Sequence, residues 1–252
     1  MKTRLSGKSI LVTGGESGIG RAIVLRCLSE GASVVIAGIN EEDISKTVSD
    51  AEADGAKERI SAIVTDVTNS EQVQNAIDLT INNYGRLDAA IANAGAFCAS
   101  TPFGEWDIDE WERVINVNLT GVFYVLHAAA KVLISQGEGG SLIATGSSTG
   151  IRPIPNLIPY TSSKGGVHQM LRGLAVEMAP HKIKVNTIVP GMAETRPVMT
   201  QQGYVEAGLK AVPMNEIVQP EELAAFVAFS LSDEVPHMTG TLLKVDAGRT
   251  SA

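Results

Sequence analysis

Between Ser147 and Lys164 the chain gathers three polar side chains whose types suit proton transfer. Tyr160 and Lys164 stand four residues apart, so on a helix they share one face, a turn from each other. A free phenol has a pKa of about 10 and is a poor acid at neutral pH. An ammonium beside it favours the phenolate and lowers that value. A tyrosine tuned in this way could give or take a proton near neutral pH, as general acid–base catalysis requires. Ser147 lies upstream, across a loop that Pro153, Pro155 and Pro159 stiffen by fixing φ, and its hydroxyl could hold a substrate oxygen against the phenol. The plain alternative is an exposed Tyr/Lys pair on a helix surface, which is common. The rest of the chain decides between them.

The elements that must position these groups alternate in type. Ser9–Thr13 is a short apolar run, read as a strand buried on both faces and stopped by Gly14-Gly15. Gly18-Ile19-Gly20 opens an apolar-periodic helix through Ile23, Cys27 and Leu28 that ends at Gly31, and residues 34–37 form the next strand. The pattern then predicts a helix over 41–54 and a strand over 60–64. A further helix runs from the Thr68-x-x-Glu71 capping box to about Tyr84. A strand over 89–92, a long helix over 110–136, a strand over 141–145 and a helix over 158–178 follow. The pattern closes with a strand over 184–189, a helix from Pro220 to Leu231 with Pro in its first turn, and a strand over 242–245. Strands alternating with helices imply an α/β chain: a doubly wound parallel β-sheet of the Rossmann type, with helices on both faces. No composition shift or linker divides residues 1–252, so one domain is expected. Residues 191–218, rich in Met, Gln, Gly and Pro, read as a substrate lid, with an ordinary surface loop as the alternative.

The totals exclude several classes. With 252 residues, 44% of them hydrophobic, the chain can bury a large core. A net charge of −8 argues against nucleic acid or an anionic membrane surface as the main partner. Cys27 and Cys98 are far apart, with no Cys-x-x-Cys; a disulfide framework or zinc site is not expected, and a reducing cytoplasm fits. His127, His168, His181 and His237 have no metal-type spacing, so no metal is expected. His168, one turn after Lys164, could border the cleft but is placed at the surface. The N-terminus lacks the apolar core of a signal peptide. The greasiest stretch, Val122 to Ile134, is about half a membrane span and carries His127 and Lys131, so it reads as a buried helix.

Thr13-Gly14-Gly15-Glu16-Ser17-Gly18-Ile19-Gly20 follows the first strand and leads into the first helix. Glycines there let backbone approach a pyrophosphate whose charge sits at the helix N-terminus; a tight turn without a ligand is the alternative. The acid that reads an adenosine ribose belongs about twenty residues on, at the end of the second strand. Gly38, Ile39 and Asn40 stand there instead. Neither 38–40 nor Glu16-Ser17 offers a cation for a 2′-phosphate, which Glu16 would repel. The reading therefore leans to NAD over NADP.

Together these segments resemble the short-chain dehydrogenase/reductase family over almost the whole chain. The resemblance rests on Thr13-Gly14-x-x-x-Gly18-Ile19-Gly20, Asp66-Val67, Asn93-Ala94-Gly95, Asn118, Ser147, Tyr160-x-x-x-Lys164 and Pro190-Gly191-x-x-x-Thr195. It implies that Asp66-Val67 contacts the adenine, that Asn93-Ala94-Gly95 lines the cofactor cleft and that the Pro190–Thr195 turn holds the nicotinamide carboxamide. The structural alternatives are a turn cap for Asp66 and a plain strand end for Asn93. Lys164 would also bind the nicotinamide ribose. Asn118 would hold a water leading to Lys164, against the alternative that its amide satisfies a neighbouring backbone group. Ser147 is preferred to Ser148 because its intervals to Gly150 and Tyr160 fit the family pattern. Departures from that pattern are Gly38, Ala92, Gly146 and Ala247.

The resemblance implies an NAD(P)-dependent oxidoreductase that moves a hydride between nicotinamide and a secondary alcohol or ketone, such as a polyol, sugar or cyclic alcohol. The competing readings are a 3-oxoacyl-carrier-protein reductase, for which Arg152, Arg172 and Arg196 look scattered, and a dinucleotide-binding sensor without turnover. Met192, Met199 and Met214 could form an adaptable apolar wall or serve as packing filler. A homotetramer packed through the long helices and the last strand is also implied.

Overall fold

The computed structural model describes residues 3–199 and 204–251. Among them the strands are β1 (Ser9–Thr13), β2 (Ser33–Gly38), β3 (Ile60–Val64), β4 (Ala89–Ala92), β5 (Gly140–Thr145), β6 (Ile183–Pro190) and β7 (Leu242–Val245). They form one sheet in the order β3-β2-β1-β4-β5-β6-β7, with every neighbouring pair parallel. The helices are α1 (Gly18–Ser29), α2 (Glu41–Ala53), α3 (Ser70–Tyr84), α4 (Ile108–Ile115), α5 (Gly121–Gln136), α6 (Ile158–Met178), α7 (Arg196–Met199), α8 (Tyr204–Leu209) and α9 (Pro220–Leu231).

Why both sheet faces are apolar follows from the strand period of two. Leu11, Val35, Ala90, Leu142 and Val185 point to one face, where α3, α5 and α6 cover them with Ile77, Leu126, Leu133 and Leu171. Their sequence neighbours Ile10, Val12, Val34, Ile36 and Ile143 point to the other, under Ile23, Cys27 and Val24 of α1 and Val227 and Leu231 of α9. Covered on both sides, the strands read as continuous apolar runs. The order reverses between β1 and β4, and that switch point opens the crevice in which such a sheet receives ligands.

Two local readings are corrected. Asn69, not Thr68, caps α3: its Oδ1 accepts from the N–H groups of Glu71 and Gln72, while Thr68 turns its hydroxyl to Asp66. The long helix starts at Ile108 on an Asp107 cap and is broken by a π-helical turn over Asn116–Thr120 before α5. The run Ile108–Gln136, 29 residues, is long and apolar enough to cross a membrane, but half of its most apolar window is buried inside the fold.

Candidate active site

The C-terminal ends of β1 to β6 and the loops that follow them surround a cavity of about 1150 Å³. On one side lies the glycine turn. Gly14 and Gly18 adopt φ of 62° and 50°, a region that strains any residue with a Cβ. Added side chains would also obstruct: a Cβ on Gly14 would stand 2.8 Å from Ala94 Cα. Ser17 caps α1 without a side-chain hydrogen bond, and the first turn of α1 carries no acid. Its N-terminal N–H groups thus face the cavity as a site for negative charge. Asn93 fixes the turn to the sheet, donating from Nδ2 to Thr13 O and Gly14 O at 3.2 Å and accepting from Thr145 Oγ1 at 3.0 Å.

Ser147, Tyr160 and Lys164 line the same cavity. Lys164 is 3% exposed and its Nζ donates to Thr145 O at 2.8 Å, which plants the ammonium 5.6 Å from the centroid of the Tyr160 ring. Burial lowers its pKa to about 8. Phe97 packs on the Tyr160 ring at 4.9 Å between centroids. Ser147 Oγ accepts from Thr149 N at 3.1 Å and from Thr149 Oγ1 at 2.9 Å. Both lone pairs are thereby occupied, which leaves the Ser147 proton to be donated.

His168 is not at the surface. It is buried beneath Ser147, whose backbone N–H it accepts on Nε2 at 3.3 Å. A Cβ on Gly146 would overlap that nitrogen, and one on Gly150 would lie 2.8 Å from Cε1. Two glycines in the β5 loop thus make room for a ring on α6. Burial first, and the Lys164 charge second, push its pKa down to about 4, so the ring is neutral.

Two of the expected site residues sit behind the cavity wall. Gly20 lets α1 close on the turn, because a Cβ there would overlap Gly14 O. Asn118, fully buried in the π turn, spends its amide on Ala96: Oδ1 accepts from Ala96 N at 2.7 Å and Nδ2 donates to Ala96 O at 2.9 Å. Its oxygen and Lys164 Nζ nevertheless flank the same residue, Gly95. Asp66 lines the cavity and also caps its own turn through Thr68. Pro190, Gly191 and Thr195 line it too. Of the three methionines only Met192 does, and Met199 and Met214 are exposed. Residues 200–203 of the expected lid lie outside the described residues. No cluster of metal-ligating side chains occurs among the described residues.

At the end of β2 the structure places a carboxylate where the sequence shows none. Glu16 folds across Gly38, its Oε1 accepting from Ile39 N at 3.2 Å. Arg196 is also brought here, its Nη1 and Nη2 donating to the Asp43 carboxylate at 3.0 and 3.2 Å.

A parallel sheet in this order, a glycine turn at its switch point and Ser147, Tyr160 and Lys164 lining the same cavity define a dinucleotide-binding oxidoreductase of the doubly wound class. The comparisons narrow this. The chain belongs to the short-chain dehydrogenase/reductase family, whose members use NAD(P)(H): the family model described as Enoyl-(Acyl carrier protein) reductase matches residues 14–250. The chain is 35% identical over 248 residues to a 3-oxoacyl-[acyl-carrier-protein] reductase of Thermotoga maritima, covering 97% of this chain and 98% of that one. It is 34% identical over 251 residues to a cyclohexanol dehydrogenase of an Acinetobacter species, covering 100% and 98%. The crystal structure of a 3-ketoacyl-(acyl-carrier-protein) reductase from Brucella melitensis complexed with NADH superposes with a TM-score of 0.90 at 27% identity, covering 98% and 99%.

Proposed function

We propose that the chain is an NAD-preferring dehydrogenase/reductase acting on a secondary alcohol or its ketone. The observation that carries this is that Ser147, Tyr160 and Lys164 line the same cavity as the glycine turn, with Lys164 Nζ 5.6 Å from the centroid of the Tyr160 ring. The residues present fit a dinucleotide. Gly14 and Gly18 leave a cradle a Cβ would fill, the N-terminus of α1 faces it, and Glu16 brings an unpartnered buried oxygen to the adenosine end. Gly14, Ser17 and Gly18 would hold the pyrophosphate. Asp66 and Val67 would hold the adenine, Lys164 the nicotinamide ribose, and Pro190, Gly191 and Thr195 the carboxamide. When bound, the cofactor supplies the hydride acceptor or donor.

The chain supplies the proton chemistry. The Ser147 hydroxyl would donate a hydrogen bond to the substrate oxygen and fix it beside Tyr160. In oxidation the Tyr160 phenolate takes the hydroxyl proton; in reduction the phenol returns it to the forming alkoxide. The Lys164 ammonium favours the phenolate across the short gap to the ring. Asn118 would serve a water path to Lys164. Segment 191–218 would close over substrate, and exposed Phe123, Ile134 and Val176 on the outer helices suit burial in a homotetramer. A 3-oxoacyl thioester is the second substrate reading, favoured by the Thermotoga relative.

The test follows absorbance of reduced nicotinamide with both cofactors against a panel of secondary alcohols, ketones and 3-oxoacyl thioesters. Turnover of at least one ketone, lost more than tenfold in Tyr160→Phe with cofactor binding retained, is the expected result. Undiminished turnover in that variant defeats the proposal.

A further inference from the structure

We propose that Glu16 is the residue with which this chain selects a dinucleotide bearing a free adenosine 2′-hydroxyl, its carboxylate standing in the space that the absent side chain of Gly38 leaves and its Oε2 accepting that hydroxyl. The assignment rests on the nicotinamide-dinucleotide reading above and names the group that decides between NAD and NADP.

Glu16 is 8% exposed, yet only half of its carboxylate is satisfied. Oε1 accepts from Ile39 N at 3.2 Å, while Oε2 is buried with no hydrogen-bond partner. A buried carboxylate oxygen without a donor is costly. Glu16 lines the main cavity, together with Gly38 and Ile39, and a rotation of its side chain would turn the enclosed Oε2 toward a donor bound there. A ribose hydroxyl is such a donor.

The position is reserved for it. A Cβ on Gly38 would overlap Oε2 and Cδ of Glu16 and lie 2.7 Å from Oε1. Positions 16 and 38 therefore cannot both carry these side chains without rearrangement. The backbone of Glu16 is pinned as well: its carbonyl accepts from the buried Thr47 hydroxyl at 3.1 Å. The carboxylate thus occupies the end of β2, where a doubly wound fold reads the ribose, but it arrives from the glycine turn.

Charge at this corner agrees. The first turn of α2 carries Glu41, Glu42 and Asp43, and the guanidinium of Arg196, which reaches the corner, is engaged by the Asp43 carboxylate. A 2′-phosphate set against Glu16 would meet like charge at short range, whereas a 2′-hydroxyl would meet an acceptor.

The experiment titrates the full chain with NADH and NADPH, reading nicotinamide fluorescence without turnover, for wild type, Glu16→Gln, Glu16→Ser, Gly38→Asp and the double variant Glu16→Ser/Gly38→Asp. Wild type is expected to bind NADH at least tenfold tighter than NADPH. Glu16→Ser should weaken NADH binding about tenfold or more, the scale of a hydrogen bond to a charged group. Glu16→Gln keeps an acceptor for Ile39 and the shape of the site but sheds the charge, so NADPH should tighten at least threefold. Gly38→Asp alone should weaken both cofactors, and the double variant should recover the NADH preference. The assignment is overturned if both Glu16 variants leave the NADH/NADPH ratio within twofold of wild type, or if wild type prefers NADPH. Absence of any NADH binding by wild type defeats the dinucleotide reading itself. An unchanged ratio in variants that still bind defeats only the role of Glu16.

Discussion

His168 Nε2 accepts the backbone N–H of Ser147 at 3.3 Å, so a ring on α6 holds the loop that presents the serine hydroxyl. The bond requires a neutral imidazole with its proton on Nδ1. His168→Leu removes the acceptor and leaves a buried N–H unpaired, at a cost of about 1–3 kcal/mol. We expect kcat to fall about tenfold or more with the NADH Kd within twofold of wild type, and His168→Gln to restore part of it by offering an oxygen. Equal kcat in all three proteins would show that the contact does not position Ser147.

The same ring sets an acid limit. Unfolded, it takes a proton near 6.5; folded, near 4. The folded chain binds fewer protons between these values, so stability falls as pH drops from 6.5 to 4 and loses nothing more from this group below that. Protonation would also turn the acceptor into a donor facing the Ser147 N–H. Urea midpoints at pH 7, 5.5 and 4 should therefore decline more steeply for wild type than for His168→Gln. Parallel curves would remove His168 as the cause.

Lys164 makes the opposite end of the pH range informative. Its pKa falls from 10.5 to about 8 through burial. The desolvation cost, on the order of 3 kcal/mol, is complete below pH 8, shrinks as pH rises because the unfolded chain still holds its proton, and is gone above 10.5. Lys164→Met escapes that cost. Wild type should gain stability relative to Lys164→Met between pH 8 and 10.5, while the variant loses at least tenfold in kcat at pH 7. A stability difference flat across that window would mean that the ammonium is solvated.

How far the site was legible depends on where each constraint originates. The sheet could be read because strands buried on both faces leave unbroken apolar runs, as in Ile10-Leu11-Val12. Asn118 read as one residue of an unbroken helix over 110–136, because the apolar period runs through it and hides the π turn that buries it. His168 looked like a surface residue because the space it fills is made by Gly146 and Gly150, in another segment. Gly38 read as a missing acid, when with Glu16 it is half of a pair. A lone residue type reveals itself in sequence; complementarity between distant positions needs the fold.

Arg196 and Asp43 tie α7 to the first turn of α2 beside the cavity, through an exposed pair at 3.0 Å. Exposed pairs are screened by salt. If the tie retains bound dinucleotide, stopped-flow displacement should show NADH leaving faster as salt rises from about 0.05 to 0.5 M, where the Debye length shortens severalfold. Asp43→Ala should leave fast at every salt concentration. Identical salt slopes in the two proteins would exclude the tie as a gate.

Gly20 offers a test of the turn's packing that a second glycine controls. In a helix, Gly→Ala ordinarily stabilises by about 0.5–1 kcal/mol. Gly173, exposed on α6 with nothing near its missing Cβ, should behave so. At Gly20 the Cβ would overlap Gly14 O and stand 2.7 Å from Gly14 C. Backbone cannot step aside as a flexible side chain can, so α1 must move off the turn. Overpacking of that kind costs about 1–3 kcal/mol, and the movement displaces the N–H groups proposed to hold pyrophosphate. Gly20→Ala should therefore lower the Tm and weaken NADH binding, while Gly173→Ala raises the Tm and leaves binding alone. Were both substitutions to raise it, the close contact between α1 and the glycine turn would not be what fixes that turn.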